Sequence, residues 1–331
     1  MDATFFTVSD ERFFVGTVCT VNSLRLTGHD QEIVVLDLGL SSDQRRRLEQ
    51  AATVVDPPGT HSGTVFAYKP FPFLLGATGT IVLIDSDMIV TRSLEPVIED
   101  AAAGRVVMFS DLPAMSGRWF AEWEELFNLH TPPRREEYMN AGFVAMSIDH
   151  FPDFLERWWH ASVLVPPERT LGKGARGTDP FCFSDQDALN ALLMSEVPAG
   201  TVARLPHEEA PSEGFLASVE VVDEASLACR LGAHSPYVLH YWGGPKPWEP
   251  VAWMRVRRNA YVKLMPRLLF APDAPVPVAP EELPRWLRPG RLERAQLNAL
   301  SAANGALRFA LDRLSPDTRR KAAMLRKRLV G

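Results

Sequence analysis

The sequence predicts an α/β fold in which helices flank a mostly parallel central sheet. Short apolar runs with strand character, at Thr4 to Val8, Glu32 to Leu38 and Ile81 to Ile84, are separated by longer segments such as Arg12 to Leu26, whose spacing suits a helix. A helix-capping sequence, Ser41-Ser-Asp-Gln44, follows the second run. Strands and helices that alternate in this way are joined by right-handed crossovers, so neighbouring strands lie parallel.

The remaining elements are predicted from the spacing of apolar residues, which recur at about every second position in strands and at every third or fourth position in helices. Asp56-Pro-Pro-Gly59 marks a loop, and residues 111–137, rich in Trp, Glu and Pro, match neither pattern. In chain order, the further predicted elements are a strand at Thr53 to Val55, a short helix at Tyr68 to Leu75, a helix at Leu94 to Ala103, strands at Arg105 to Phe109 and Gly142 to Ile148, a helix at Phe151 to His160, a helix opened by a Ser184 cap, strands at Val202 to Leu205 and Val238 to Leu239, and a helix at Trp253 to Phe270.

Length and composition limit the classes of protein that fit. A chain of 331 residues can bury a sizeable core, and its net charge of −6 gives no reason to expect a nucleic-acid partner. The three cysteines, Cys19, Cys182 and Cys229, are scattered and are expected to be small buried side chains in a reducing compartment. With neither a signal-like start nor 18 uninterrupted apolar residues, we expect a cytoplasmic protein.

The charge distribution divides the chain into three predicted parts. Residues 281–331 hold 12 Lys and Arg against 5 Asp and Glu, although the whole chain is acidic. A stretch rich in Pro, Ala271 to Pro280, precedes them and shows no packed-core pattern. We therefore predict a main domain at 1–270, a linker at 271–290 and a basic amphipathic helical tail at 291–331.

The tail itself has two interpretations. Its predicted helices, Arg291 to Leu314 and Thr318 to Leu329, set a leucine stripe beside a basic face, which suits an anionic membrane surface and would place the protein at the inner face of the membrane. Packing on the chain's own acidic domain, or on a second subunit in a homodimer, is equally compatible. The basic residues in question are Arg308, Arg313, Arg319, Arg320, Lys321, Arg326, Lys327 and Arg328.

The apolar run Ile81 to Ile84 leads directly into Asp85-Ser86-Asp87. Ligands of open α/β sheets bind beyond the carboxyl ends of the strands, which is where these two carboxylates are expected. Side chains at i and i+2 of an extended segment point the same way, so Asp85 and Asp87 can bind the same cation. For an isolated D-x-D sequence, a polar turn that caps the next helix is the simpler interpretation, so the rest of the chain must decide.

A second group of polar residues ends another predicted strand. His240 is placed to join the same crevice, and an imidazole ligand would favour Mn²⁺ over Mg²⁺. Gly243 and Gly244 allow close backbone approach to a ligand, while Lys246 is a point charge suited to phosphate. Taken separately, these residues are a hydrogen-bonded histidine and a tight turn with a surface lysine; taken together with the carboxylates they suit a metal-bound diphosphate.

Two further sets of polar residues begin well-patterned elements. Asn140 precedes a predicted strand, and Asp185, Gln186 and Asp187 open a predicted helix. As functional groups these residues would bind sugar hydroxyls. Alternatively, Asp185 and Asp187 only stabilise the start of the helix through its dipole. A G-x-G-x-x-G sequence at Gly172 to Gly177 follows no strand and opens no helix, so we interpret it as a loop carrying Lys173 and Arg176.

These motifs, in this order and rough spacing, resemble the retaining glycosyltransferases of family 8, the glycogenin and bacterial galactosyltransferase group. The matching stretches are Asp85 to Asp87, Asn140-Ala-Gly142, Asp185 to Asn190 and His240 to Trp248. The resemblance covers residues 4 to about 250 and implies a GT-A fold, a nucleotide-sugar donor, usually linked to UDP, and transfer of a hexose to an acceptor hydroxyl.

The resemblance also implies roles for individual residues. Mn²⁺, or alternatively Mg²⁺, would be held by Asp85, Asp87 and His240. Catalysis would involve Gln186, with Asp185 and Asp187 beside it. The implied donor-binding residues are Thr7, Ser9, Asp10, Lys69, Ser86, Asn140, Ala141, Gly142, Gly243 and Lys246. The acceptor is not identified by any motif.

Two other classes of protein remain as alternatives. An apolar strand followed by D-x-D also begins haloacid-dehalogenase-type phosphatases, in which the first aspartate is the nucleophile. Here, however, the motif comes after two β-α units, Ile89 stands where Thr or Val is usual, and His240 to Trp248 would have no role. The second alternative is a non-catalytic module that binds a nucleotide sugar.

Overall fold

The computed structural model describes residues 3–57, 68–171, 177–212 and 214–313. Its centre is a seven-stranded sheet of order β3-β2-β1-β4-β7-β6-β8, in which β7 runs antiparallel to both neighbours and the other pairs are parallel. The strands are β1 (Ala3–Ser9), β2 (Glu32–Asp37), β3 (Thr53–Val55), β4 (Thr80–Ile84), β5 (Met88–Val90), β6 (Val106–Ser110), β7 (Met139–Ser147), β8 (Val202–Leu205), β9 (Glu220–Asp223), β10 (Ala228–Arg230) and β11 (Val238–His240). The predicted mostly parallel α/β fold is confirmed.

Helices cover both faces of this sheet. Along β4, Ile81 and Leu83 belong to one hydrophobic cluster, and Val82 and Ile84 belong to the other. Because successive side chains of a strand point to opposite faces, a strand buried on both sides is apolar at every position. The helices are α1 (Phe14–Leu26), α2 (Ser42–Leu48), α3 (Glu95–Ala102), α4 (Trp123–Leu126), α5 (Phe154–Val163), α6 (Ser184–Ser195), α7 (Ala260–Phe270) and α8 (Arg291–Asp312).

A short antiparallel pair outside the main sheet joins distant parts of the chain. In β5 and β11, Met88 lies opposite His240 and Leu239 opposite Ile89. Thr91 N donates to Tyr237 O and Tyr241 N donates to Asp87 O, which extends the pairing at both ends. The segment after β4 is thereby fixed against the segment that begins the His240 motif.

The structure corrects three of the predicted helices. The segment Trp253 to Phe270 is not one helix: a 3-10 turn, Pro250–Met254, is separated from α7, where Asn259 Oδ1 accepts a hydrogen bond from Val262 N at 3.0 Å and caps a new start. Ser184 does not cap α6 but is its first residue, with a positive φ of 21°. Tyr68 to Leu75 contains a 3-10 turn, Phe71–Leu75, rather than an α-helix.

The segment 271–290, which we predicted as a linker without a packed-core pattern, packs against the main domain. Asn22 of α1 lies at the centre of this contact: its Nδ2 donates to Leu268 O and Val276 O, each at 2.8 Å, and its Oδ1 accepts from Val276 N at 2.9 Å. The buried side chains that the segment contributes to the core are Val276, Val278, Leu283, Trp286 and Leu287.

The C-terminal helix α8 lies against residues 253–258. Asn304 Nδ2 donates to Trp253 O and Val256 O, both at 3.0 Å, so one face packs on the chain's own domain. Leu292 and Phe309 are exposed, and membrane contact through this helix stays a prediction. The predicted helix Thr318 to Leu329 lies outside the described residues. Within 3–57, 68–171, 177–212 and 214–313, no helix is long and apolar enough to cross a membrane.

We expect Asn22→Ala to lower the free energy of unfolding by about 2–4 kcal/mol, because it leaves buried backbone groups of α7 and the 271–290 segment without partners. Chemical denaturation measures this change. Asn298→Ala serves as a control: Asn298 is exposed on α8 and is bonded to Arg258 at 3.3 Å, and its loss should change stability by less than about 0.5 kcal/mol. Equal effects of the two substitutions would contradict a structural role for the Asn22 contact.

Candidate active site

The two predicted carboxylates and the predicted histidine converge beyond the end of β4. His240 Nε2 lies 3.3 Å from Asp87 Oδ1 and 3.8 Å from Asp85 Oδ2. The ligand atoms of all three side chains lie within 4.8 Å of one another. Asp85 N donates to Gly142 O at 2.8 Å, which fixes the first carboxylate to β7. The predicted meeting of these three residues is confirmed.

Gly142 makes room for this cluster. A Cβ atom at position 142 would lie 2.8 Å from His240 Cε1 and 2.5 Å from Met88 Cε. Both distances are shorter than those real Cβ atoms show, so any larger residue would displace the imidazole. The glycine of the Asn140-Ala-Gly142 motif therefore has a packing role at the cluster itself.

Two lysines, Lys246 buried and Lys69 half-buried, balance the carboxylates. Lys246 Nζ donates to Asp87 Oδ2 at 2.5 Å and to Tyr241 O at 2.7 Å. Lys69 Nζ lies 2.9 Å from both Asp85 Oδ1 and Asp185 Oδ2, and it donates to Ala141 O at 3.2 Å. Each lysine thus connects the cluster to another part of the predicted donor site.

Burial and neighbouring charges give the two carboxylates different acidities. Burial raises the pKa of Asp85, and the negative charge of Asp87 acts in the same direction against the attraction of Lys69. Burial also opposes ionisation of Asp87, but attraction to Lys246 and His240 prevails and holds its pKa well below the usual range. Burial opposes the charge of Lys69 as well, yet Asp185 and Asp85 raise its pKa.

The start of α6 lies against β7 through Gln186. Its Oε1 accepts a hydrogen bond from Ala141 N at 3.0 Å, and its Nε2 donates to Asp111 Oδ2 at 2.7 Å. Asp185 faces Lys69, and Asn140 Oδ1 accepts from Gly142 N at 2.9 Å. Both polar motifs predicted to bind a sugar therefore lie beside the carboxylate cluster.

A cavity of about 600 Å³ contains this cluster. Most of the predicted site residues line it, and they come from the ends of β1, β4, β7 and β11 and from the start of α6. The predicted residues on its wall are Thr7, Ser9, Asp10, Lys69, Asp85, Ser86, Asp87, Asn140, Gly142, Asp185, Gln186, His240, Gly243 and Lys246.

The structure does not bring Asp187 or Ala141 to the cavity. Asp187 is fully buried and accepts hydrogen bonds from Arg118 Nε at 2.6 Å and Tyr138 Oη at 2.7 Å, so it does not fit the predicted catalytic role. Helical rotation turns it away from Gln186. The Ala141 side chain points into the opposite hydrophobic cluster, because side chains alternate along β7, and only its backbone serves the site.

Several wall residues were missed by the sequence analysis. Arg12, on the turn before α1, pairs with Glu249 at 2.5 Å, and Trp248 Nε1 donates to Arg12 O at 2.8 Å. Phe183 and Trp242 also line the cavity, with ring centroids 6.5 Å apart. Arg12, Phe183 and Trp242 each lie within two positions of a motif residue, and this closeness in sequence is the one feature that could have predicted them.

The donor atoms of the cluster fit a divalent metal ion. Two carboxylates and an imidazole are ligands suited to Mn²⁺. Asp87 Oδ1 is buried and, within the described chain, accepts no hydrogen bond of standard geometry, which leaves a lone pair for a cation. The residues present therefore fit the predicted metal.

The comparisons with known proteins agree on the fold. The chain matches no protein-family model and no curated protein by sequence. It is similar to the structure of LgtC, a galactosyltransferase, in complex with donor and acceptor sugar analogues, with 19% identity, a TM-score of 0.50 and coverage of 82% of this chain and 98% of LgtC. The chain has the GT-A glycosyltransferase fold.

Two further solved structures support the same fold. An active-site mutant of LgtC matches with 16% identity, a TM-score of 0.51 and the same coverage of both chains, 82% and 98%. The bifunctional glycosyltransferase WbbM matches with 16% identity and a TM-score of 0.55 over 82% of this chain. The match spans half of the WbbM chain.

We expect Mn²⁺ to raise the melting temperature of the wild-type protein, because a ligand that binds the folded form stabilises it by mass action. Asp85→Asn, Asp87→Asn and His240→Ala should each reduce this shift strongly, since each removes a ligand atom. Differential scanning fluorimetry with and without EDTA measures the effect. Asp30→Asn, at an exposed acidic residue, should keep the full shift, and a full shift in all three cluster variants would contradict the metal site.

Proposed function

We propose that the protein is a retaining glycosyltransferase of family 8 that transfers a hexose from a UDP-sugar to an acceptor hydroxyl. The observation that carries the proposal is the cluster of Asp85, Asp87 and His240 beside Lys246 in one cavity of a GT-A fold. Carboxylates and a histidine suit the binding of a cation, and a lysine suits the binding of phosphate oxygens. A metal-bound diphosphate is the ligand that matches both.

The divalent ion, Mn²⁺ or alternatively Mg²⁺, would be held by Asp85, Asp87 and His240 and would supply Lewis-acid stabilisation to the leaving diphosphate. Lys246 adds a positive charge that is already positioned and largely shielded from solvent, so its interaction with a developing phosphate charge is strong. Gly243, at a φ of +82°, lets the backbone turn close to the same oxygens. Thr7, Ser9 and Asp10 line the part of the cavity proposed for the base and ribose.

The proposed reaction occurs beside α6. The bond between the sugar's anomeric carbon and the diphosphate oxygen breaks, and a bond from the acceptor oxygen forms on the same face, so the configuration is retained. Gln186, Asp185 and Asn140 are placed to hold the sugar. In LgtC an active-site mutant exchanges a glutamine for a glutamate, and we assign Gln186 the corresponding place here. A covalent intermediate and attack on a short-lived ion pair both fit this arrangement.

The acceptor is proposed to enter beside Phe183 and Trp242. Trp242 is partly exposed, follows the His240 end of β11, and faces the ring that precedes α6. The two aromatic rings therefore lie together on the wall of the cavity that contains the proposed reaction centre. LgtC has been described with an acceptor sugar analogue, and aromatic rings suit the apolar face of a sugar.

A panel of nucleotide sugars incubated with Mn²⁺ tests the proposal. We expect slow release of UDP from one UDP-hexose, accelerated by a suitable acceptor, with the anomeric configuration of the product determined by NMR. Asp87→Asn should lower the rate at least about a hundredfold, because a charge that stabilises the transition state is worth several kcal/mol. Hydrolysis of phosphate monoesters without nucleotide-sugar cleavage would favour the phosphatase alternative, and binding without turnover would favour the non-catalytic module.

Lys246→Gln separates diphosphate binding from metal binding. We expect the KM for the donor to rise about tenfold to a hundredfold, since one charge-assisted contact to phosphate is lost. The affinity for Mn²⁺ should be retained, because the lysine competes with a cation for Asp87. Steady-state kinetics and isothermal titration calorimetry measure the two effects, with Lys263→Gln on α7 as the matched control. Loss of Mn²⁺ binding in Lys246→Gln would contradict the assignment.

A further inference from the structure

Arg118 is a buried arginine outside the cavity, in the irregular stretch between β6 and β7. Its side chain forms a two-pronged ion pair with Asp187, with Nε 2.6 Å from Oδ1 and Nη2 2.7 Å from Oδ2. The same guanidinium donates from Nη2 to Asp179 O at 2.6 Å and from Nη1 to Gly177 O. One side chain thus connects the segment before α6 to the first turn of α6.

The groups that Arg118 holds belong to the wall of the proposed active site. Residues 182–186 all line the cavity, and they include Asp185 and Gln186. Asp187 also accepts a hydrogen bond from Phe183 N at 2.9 Å, and the Arg118 guanidinium lies 4.9 Å from the centre of the Phe183 ring. The ion pair therefore holds this wall segment in two ways: Asp187 bonds the backbone of Phe183, and Arg118 contacts the Phe183 ring.

The contacts require a guanidinium group. Arginine offers a planar fork that serves a carboxylate and two carbonyl oxygens at once, whereas a lysine ammonium is a single point with three donors. The backbone here is also unusual, because Ser184 has a positive φ of 21°, an uncommon conformation for a residue with a side chain. A conformation of this kind persists only where the surroundings enforce it.

We propose that Arg118 is a positioning residue, which holds residues 177–187 so that Phe183, Asp185 and Gln186 face the bound substrates. This inference rests on the proposed function. Loss of the ion pair between Arg118 and Asp187 should therefore displace Asp185 and Gln186. It should leave the proposed metal site unchanged, because Asp85 and Asp87 follow β4 and His240 ends β11.

Arg118→Lys and Arg134→Lys form a matched pair of variants. Arg134 ties the other end of α6, with Nη2 donating to Leu193 O at 3.0 Å and Val197 O at 2.6 Å and Nε donating to Glu136 at 2.7 Å. Both arginines bond carbonyls and a carboxylate, but only Arg118 reaches the cavity wall. Both variants are assayed well below their melting temperatures for kcat, KM and Mn²⁺ affinity, and by hydrogen exchange of backbone amides.

We expect Arg118→Lys to lower kcat about tenfold to a hundredfold, since a displacement of about 1 Å at reacting groups costs on that order. Amide exchange should accelerate in 177–187, and Mn²⁺ affinity should stay within about twofold. Arg134→Lys should change kcat by less than about threefold, with faster exchange near 193–197. If Arg118→Lys does not fold, Asp187→Asn, which keeps the shape of the side chain, should show the same pattern to a smaller degree.

Two outcomes would overturn the inference: equal loss of kcat in the two lysine variants, or unchanged exchange in 177–187 of Arg118→Lys. Failure of the proposed function has a different signature, because the wild-type protein would then cleave no nucleotide sugar. In that case hydrogen exchange still decides whether Arg118 holds the segment, while its assignment to sugar transfer is lost.

Discussion

The short pairing of β5 with β11 is the contact on which the site depends. It sets Met88 opposite His240, so the residue that follows Asp87 is fixed against a strand about 150 positions later in the chain. Two carboxylates at the end of β4 would otherwise be an ordinary polar turn. The imidazole, the turn at Gly243 and the Lys246 charge all belong to β11 and the residues after it. One strand therefore brings to the cavity both the histidine proposed to bind a cation and the lysine proposed to bind phosphate.

Burial of so many charges is possible because each has a partner. Transfer of an ion from water into a protein interior costs several kcal/mol unless geometry and hydrogen bonds compensate. Asp85 and Asp185 share Lys69, and Asp87 faces Lys246. These pairs hold the carboxylates close together despite their mutual repulsion, so the cluster is organised before any ligand arrives.

Local patterns predicted the sheet and most of the wall, and the failures have physical reasons. Asn140 and Gly142 share a face of β7, so Ala141 between them necessarily faces the other side. On α6, each residue rotates the direction of the side chain by about 100°. Asp185 and Gln186 line the cavity, whereas Asp187 lies about 200° from Asp185 and turns into the protein, where it pairs with Arg118. A contact between residues far apart in the chain, such as Asn22 with Val276, produces no local sequence pattern. For this reason the packed segment 271–290 was predicted to be a linker.

Trp286 connects that segment to the loop that carries Lys246. Its Nε1 donates to Pro247 O at 3.1 Å, next to Lys246, while Trp248 is bonded to the turn before α1. The loop that carries Lys246 is therefore held on both sides by indole rings, and Trp286 comes from the segment that follows α7. A truncated form of this protein should accordingly extend through Trp286, because a boundary drawn at residue 270 would remove part of the loop's support.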